Sequence, residues 1–300
     1  MTSDSQLGRT IAGYRLARQV GEGGTAIVYR AEHPERGLAA VKILRPRLAE
    51  DPVAVKRFLR EAEFGSRINH PRIVKTYDFG QADGLYYMAL EWAEGEPLAS
   101  FVSRSGQLAP ALVATIIEQI GGALSSAHAE GIIHRDLKPA NIMYDPATQT
   151  AKLLDFGIAR AADSSADERL TRAGFFVGTL QYVAPETLSG ELVSEQADVY
   201  SLSTIAYHLL TGEHPFQGRN PRELFQQLLT QPPTPLNQAV KGLRFPAAVE
   251  AVIMQGLERD RAKRTKTVDE FTQKFCTAAR ENAGPAKGGL FRNLFRRGDG

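Results

Sequence analysis

Strand-like runs, interrupted by one helical stretch, mark the first ninety residues, and longer helical runs follow. The runs Tyr14–Val20 and Ala26–Ala31 alternate around Gly21-Glu22-Gly23-Gly24, which predicts two strands joined at a glycine turn. Glycines permit such a turn and let backbone N–H groups approach phosphate. Taken alone, the loop reads equally well as a structural hairpin. Ala39–Leu44 reads as a buried strand carrying one lysine, Lys42, and Tyr86–Leu90 as another strand. A lone lysine in an apolar strand is costly without a partner. The helical run Val53–Arg67 offers two carboxylates, Glu61 and Glu63. Further on, Ala109–Glu130 predicts a long helix ended by Gly131, and a hydrophobic helix runs from Asp198 through Leu210 to Gly212. Both glycines stand where a left-handed residue closes a helix.

Three hundred residues allow one large domain or two modest ones. Hydrophobic content of 43% and charged content of 23% are those of an ordinary globular protein. A net charge of +2 gives no general case for nucleic-acid binding, and none is expected. The single cysteine, Cys276, excludes an internal disulfide, fits a reducing compartment and reads as a small buried hydrophobe. Met1–Gly13 has neither the basic nor the apolar region of a signal peptide, and no run of about 18 apolar residues occurs. The expected location is the cytoplasm, as a whole protein or the cytosolic part of a longer one.

The two ends differ from the middle. Residues 1–13 are polar and expected to be flexible. In the basic tail, residues 280–300, Leu290, Phe291, Leu294 and Phe295 share one helical face, with Arg292, Arg296 and Arg297 around them. Such an amphipathic helix can lie on an anionic membrane surface, through residues 290–297, or dock on a partner. A disordered tail, or a helix packed back on the rest, is an equal reading.

The chemistry concentrates in His134-Arg135-Asp136-Leu137-Lys138-Pro139-Ala140-Asn141 and in Asp155-Phe156-Gly157. With Asn69-His70-Pro71, Gly178-Thr179-Leu180-Gln181-Tyr182 and Ala184-Pro185-Glu186, these motifs resemble those of the protein kinases, in particular the bacterial eukaryotic-like Ser/Thr kinases. The resemblance runs from about Tyr14 to Ala279. It implies a mixed α+β, two-lobed protein kinase fold: a small β-rich lobe with one main helix (14–91), a hinge (91–95) and a larger helical lobe (96–279).

The resemblance also implies roles. Asp136 would accept the proton of a substrate hydroxyl, and Lys138 would neutralise charge on the transferring phosphate. Asn141 and Asp155 would offer oxygen to Mg²⁺. Val20, Gly21, Glu22, Gly23, Gly24 and Val28 would cover ATP, although Ala26 stands where the family most often has a third glycine. Lys42 would hold the phosphates and pair with Glu61, or with its rival Glu63. The backbone of Glu91 and Ala93 would bind adenine beside Leu90. His134 would be structural, Asp198 would cap the catalytic loop, and Glu186 would pair with Arg264. Arg135 can receive a phosphorylated loop; Thr171 is the expected phosphosite, with Ser164 and Ser165 as rivals, while Thr179 reads as architecture. Gly65 stands where the family has a packing side chain, so the Glu61 helix is expected to be loosely held, and contacts between small lobes are expected to seat it. The implied activity is that of a protein serine/threonine kinase acting on itself and on protein substrates. A nucleotide-binding scaffold with the same fold is the alternative, although Lys42, Asp136 and Asp155 are all present.

Overall fold

The computed structural model describes residues 6–154, 180–189 and 193–281. Asp155, Ser164, Ser165, Thr171, Thr179 and the tail at 290–297 lie outside them. Six antiparallel strands form one sheet in the order β1-β2-β3-β4-β6-β5. They are β1 (Thr10–Ile11), β2 (Tyr14–Glu22), β3 (Ala26–His33), β4 (Gly37–Leu44), β5 (Thr76–Ala82) and β6 (Leu85–Glu91). Between β4 and β5 come a short helix α1 (Pro46–Ala49) and the principal helix of this lobe, α2 (Pro52–Arg67). Asp51 caps α2 by accepting the Val53 N–H at 2.9 Å, and Pro52 occupies its first turn.

The N-terminal segment departs from the expected flexible stretch. Thr10–Ile11 pairs with Tyr14–Arg15, the Gly8 N–H donates to the Leu16 carbonyl, and Ile11 is fully buried. One apolar residue at the sheet edge is enough to draw the strand in. That anchoring could not be read from a polar dodecapeptide.

Strand alternation sorts the sheet's two faces. In β4, Ala39, Val41 and Ile43 bury on one side with Ile11, Tyr14, Tyr29 and Tyr87. Leu44 turns to the other side, where it meets Phe58 and Ala62 of α2 and Met88 of β6. Lys42 shares that second side by the period of two.

The rest of the described chain is mostly helical. A three-stranded sheet of β7 (Glu96–Pro97), β8 (Ile142–Asp145) and β9 (Thr150–Leu153) lies against α3 (Leu98–Ser105) and α4 (Pro110–Ala129). Then follow α5 (Pro185–Ser189), α6 (Glu195–Thr211), α7 (Pro221–Thr230), α8 (Ala247–Gly256) and α9 (Val268–Glu281). Helices α4 and α6 form the centre: α4 buries Val113, Ile116, Ile117, Ile120 and Leu124, and α6 is buried nearly throughout. Gly121 lets α4 close on α9, because a methyl group there would meet Thr272 Oγ1 at 2.1 Å. The predicted helix ends hold, with Gly131 and Gly212 at φ of +71° and +72°. α6 starts at Glu195, one turn before Asp198, because Glu195 and Asp198 both suit the positive end of the helix dipole.

Candidate active site

The end of α4 sets the position of the loop that follows it. Glu130 and Gly131 turn the chain out of the helix, and the Ile132 N–H returns to the Ala127 carbonyl at 2.9 Å. The next residues fold back tightly. The Asp136 N–H bonds the His134 carbonyl at 2.9 Å, with Arg135 between them at φ +66°. A non-glycine residue in that region costs on the order of 1–3 kcal/mol and needs surroundings that impose it.

Asp198, fully buried in the first turn of α6, supplies them. Its Oδ2 accepts the His134 N–H at 2.8 Å, and its Oδ1 accepts the Arg135 N–H at 3.0 Å. His128 of α4 reaches the same Oδ2 through Nε2 at 2.8 Å. Burial alone would raise the Asp198 pKa. The His128 bond, the nearby histidines and the His134 N–H outweigh burial and hold it below the ordinary carboxylate range. His134 is itself fully buried, with Nε2 3.3 Å from the Leu154 carbonyl.

On this support the loop gathers three polar side chains. Asp136 Oδ2 accepts from Lys138 Nζ at 2.9 Å and from Asn141 Nδ2 at 3.1 Å. Asn141 Nδ2 also bonds the Asp136 carbonyl at 2.8 Å, which fixes the amide orientation and turns Oδ1 away from the loop. The Leu154 N–H donates to the Asn141 carbonyl at 2.8 Å, tying the end of β9 to the same place. Asp155, the next residue, lies outside the described residues.

The small lobe contributes a second polar centre. Lys42 Nζ bonds Glu61 Oε1 at 2.7 Å, both side chains being largely buried. Glu63 is exposed and points to the other face of α2. Val28 lies opposite Lys42 in the β3–β4 register. The glycine turn is held by more than its own backbone. The Gly23 N–H bonds the Ala26 carbonyl at 2.9 Å, Arg45 Nε donates to the Gly23 carbonyl at 2.8 Å, and Arg47 donates to the Gly24 carbonyl at 3.0 Å. Arg45 also pairs with Glu22. Val20 leaves 41% of its surface open, as an apolar cover over a flat ring would.

Between the lobes, the Glu91 N–H donates to the Lys75 carbonyl at 2.8 Å, so only its carbonyl is left for a ligand. Among the described residues, the Ala93 N–H has no acceptor. Behind Leu90, Gly65 leaves a cavity of about 20 Å³ bounded by Glu61, Ile73, Val74, Thr76, Met88 and Leu154. The glycine is needed for close approach, since a methyl group there would lie 2.9 Å from Thr76 Oγ1. Lower down, Glu186 of α5 forms a buried two-pronged pair with Arg264 at 2.6 and 3.0 Å.

Residues 14–276 match the protein kinase domain family. The chain belongs to that family. The kinase domain is 39% identical over 276 residues to the serine/threonine-protein kinase pkn3 of Myxococcus xanthus, covering 90% of this chain and 50% of that protein. It is also 39% identical over 272 residues to the serine/threonine-protein kinase PknE of Mycobacterium tuberculosis, covering 90% and 47%. The chain thus spans about half the length of the curated relatives it matches. In three dimensions it resembles the Mycobacterium tuberculosis PknI kinase domain, with TM-score 0.70, 31% identity, and coverage of 90% of this chain and 98% of that one. It also resembles Rad53 1–466 in complex with AMP-PNP, with TM-score 0.72, 30% identity, and coverage of 88% and 65%.

Several contributors to the kinase site were not visible in the sequence. His128 on Asp198, Arg45 and Arg47 on the glycine turn, and Lys152 paired with Glu91 connect residues too far apart for spacing to reveal. The i to i+3 pattern of α4 hinted at His128 only as a polar break in an apolar face.

Proposed function

We propose that this domain transfers the γ-phosphoryl group of ATP to serine and threonine hydroxyls of proteins, itself included. The observation that carries this reading is the Asp136–Lys138–Asn141 cluster, built on a strained loop, together with the Lys42–Glu61 pair. Protein kinases use ATP and a divalent metal, and the residues present fit both. Asn141 Oδ1 is turned away from its own loop, and with Asp155 it would hold Mg²⁺, which when bound neutralises phosphate charge. Lys42, positioned by Glu61, would hold the nucleotide phosphates. Val20 to Gly24 and Val28 would cover them, and the Glu91 carbonyl and Ala93 N–H would bond adenine.

In the reaction a substrate oxygen forms a bond to the γ-phosphorus while the bridging bond to the β-phosphate breaks. Asp136 takes the hydroxyl proton, and Lys138 compensates charge on the phosphoryl oxygens while restraining the Asp136 carboxylate. The nucleotide analogue bound by Rad53 supports a similar ligand here.

Three finer statements belong to the same proposal. Thr171 is the self-modified residue, and Arg135, whose Nε has no partner among the described residues, would receive its phosphate. Copies associate through their small lobes and seat α2, which borders a cavity of about 20 Å³ at Gly65. The enzyme works in the cytoplasm, where residues 290–297 can touch an anionic membrane surface; no described helix is long and apolar enough to cross one.

Mass spectrometry after incubation with ATP and Mg²⁺, beside Asp136→Asn, tests the reading. Phosphate on Thr171 of the wild type alone is the expected result. Bound ATP with no phosphate on the wild type or on any protein substrate would replace this reading with the scaffold.

A further inference from the structure

Arg45 follows the last residue of β4, and Arg47 lies in α1. Between them they take up three successive carbonyls of the glycine turn. The Gly23 carbonyl accepts from Arg45 Nε at 2.8 Å, the Gly24 carbonyl from Arg47 Nη2 at 3.0 Å, and the Thr25 carbonyl from the Arg45 N–H at 2.9 Å. Arg45 Nη2 also pairs with the Glu22 carboxylate, whose other oxygen accepts from Gln19 Nε2 at 3.2 Å.

A trans peptide unit is planar, with its C=O and the next N–H on opposite edges. Turning the Gly23 and Gly24 carbonyls onto the arginines therefore turns the Gly24 and Thr25 N–H groups the other way. Among the described residues neither N–H has an acceptor, whereas the Gly23 N–H closes the turn on the Ala26 carbonyl at 2.9 Å. Two adjacent donors are thus fixed in direction by side chains on the far edge of their own peptide units.

The chain itself does not call for a glycine here. Gly21, Gly23 and Gly24 all lie outside the left-handed region, and a methyl group on Gly24 would meet no heavy atom within 4 Å. What remains is the close approach of a group from outside the chain. Bare N–H groups select an anion for that place. Position 26, by contrast, is committed to the interior. Ala26 is 3% exposed and packs with Leu44, Phe58, Ala62 and Met88, so it pins one side of the turn while the arginines pin the middle. Charge acts in the same direction. The Glu22 carboxylate alone would repel phosphate; Arg45 cancels it, and Arg47 leaves the turn with a surplus positive charge.

We propose that Arg45 and Arg47 are positioning residues for the phosphate tail of the nucleotide. By anchoring the carbonyls of residues 23–25 they preset the Gly24 and Thr25 N–H groups as donors to phosphate oxygen, so that little ordering of the turn is left to do when ATP arrives. Neither arginine has to touch the nucleotide. This inference rests on the ATP-binding part of the reading above and adds to it the residues that make the turn favour a nucleotide over its nucleoside.

The test is isothermal titration of wild type, Arg45→Gln, Arg47→Gln and the double variant with ATP and with adenosine, both in Mg²⁺, followed by steady-state kinetics on a Ser/Thr peptide. The double variant is expected to bind ATP about tenfold more weakly and adenosine within twofold of wild type. Its ATP KM should rise about tenfold while the peptide KM stays within twofold. Arg45→Lys keeps the charge but loses the fork that serves the Gly23 carbonyl and Glu22 together, and should remain at least threefold weaker for ATP. Unchanged or tighter ATP binding in the double variant overturns the proposal. So does an equal loss for ATP and adenosine, which would mark general damage to the cleft, and so does full recovery in Arg45→Lys, which would make charge alone sufficient. Arg47 is exposed, so if the double variant does not fold, Arg47→Gln decides by the same comparison, with a loss of about threefold expected for ATP alone. A wild type that binds ATP no more tightly than adenosine would overturn the ATP reading itself, which separates the two failures.

Discussion

Replacing Asp198 by asparagine changes one oxygen to an NH₂ group and nothing in volume. The carboxylate accepts the His134 and Arg135 N–H groups, with His128 Nε2 on the same oxygen as His134. Asparagine has a single acceptor oxygen, so at least one backbone N–H faces another donor in a site with no solvent access. A buried bond to a charged acceptor contributes about 1.5–3 kcal/mol, and an orphaned donor costs a further 1–3 kcal/mol. The left-handed strain at Arg135 is released on opening in wild type and variant alike, so it drops out of the difference. The balance favours opening of the loop by about 3 kcal/mol, or roughly a hundredfold in the local opening equilibrium.

Amide hydrogen exchange of the segment 132–138 measures that equilibrium directly. Exchange there should accelerate about a hundredfold in Asp198→Asn, while the strands β2–β6 keep their wild-type rates. Because Asp136 rides on this loop and a misplacement of about 1 Å costs roughly a hundredfold in rate, kcat should fall by a similar factor. Exchange within threefold of wild type, with kcat unchanged, would show that the backbone holds this loop without the carboxylate.

Other expectations follow from the same contacts. Arg264→Met removes the two-pronged partner of the buried Glu186 carboxylate and should cost about 3–5 kcal/mol in urea unfolding; Arg264→Met with Glu186→Leu should recover most of it. Gly65→Ala should gain up to about 1 kcal/mol of helix stability only when Thr76→Ala removes the 2.9 Å approach, which paired urea melts of the single and double variants will show. Glu61→Gln should weaken the hold on Lys42 and lower kcat/KM for ATP by about tenfold or more, with the melting temperature within a few degrees of wild type. Burial sets the folded pKa values of His208 and His214 below the ordinary 6.5, so the unfolded chain binds more protons and acid favours unfolding. Stability should therefore decline as pH falls from about 6.5 towards about 4, and the decline should be shallower in His208→Asn/His214→Gln.

Much of this was legible beforehand because the decisive groups are local or periodic. Asp136, Lys138 and Asn141 sit within six residues, and the alternation of β4 isolates Lys42 from its apolar neighbours. Gly131 and Gly212 mark their helix ends by being the residues that tolerate positive φ. The meeting of the Tyr182 hydroxyl with His208 Nδ1 and His214 Nε2 was not legible. His208 and His214 stand in different settings, one on α6 and one in the chain just past its end, and only the packing brings both nitrogens to one hydroxyl. Glu61 and Glu63 could not be separated by spacing alone. The structure separates them because α2 presents residue 61 to the sheet and residue 63 to solvent. The strand at Thr10–Ile11 was missed because two residues carry no periodicity.

The carboxylate of Glu91 gives the junction of the lobes a mechanical character. One oxygen pairs with Lys152 on β9, and the other accepts the Lys75 N–H at the entrance to β5. Beside it the chain at 72–74 bonds β9 through the Leu153 N–H to the Arg72 carbonyl and the Val74 N–H to the Leu153 carbonyl. The lobes are therefore joined by two parallel ties as well as by the covalent link at 92–95, like a door on a piano hinge rather than on a single pin. Rotation about that line stays cheap while twist across it is resisted. Clam-like gaping of the cleft has one axis along which to occur.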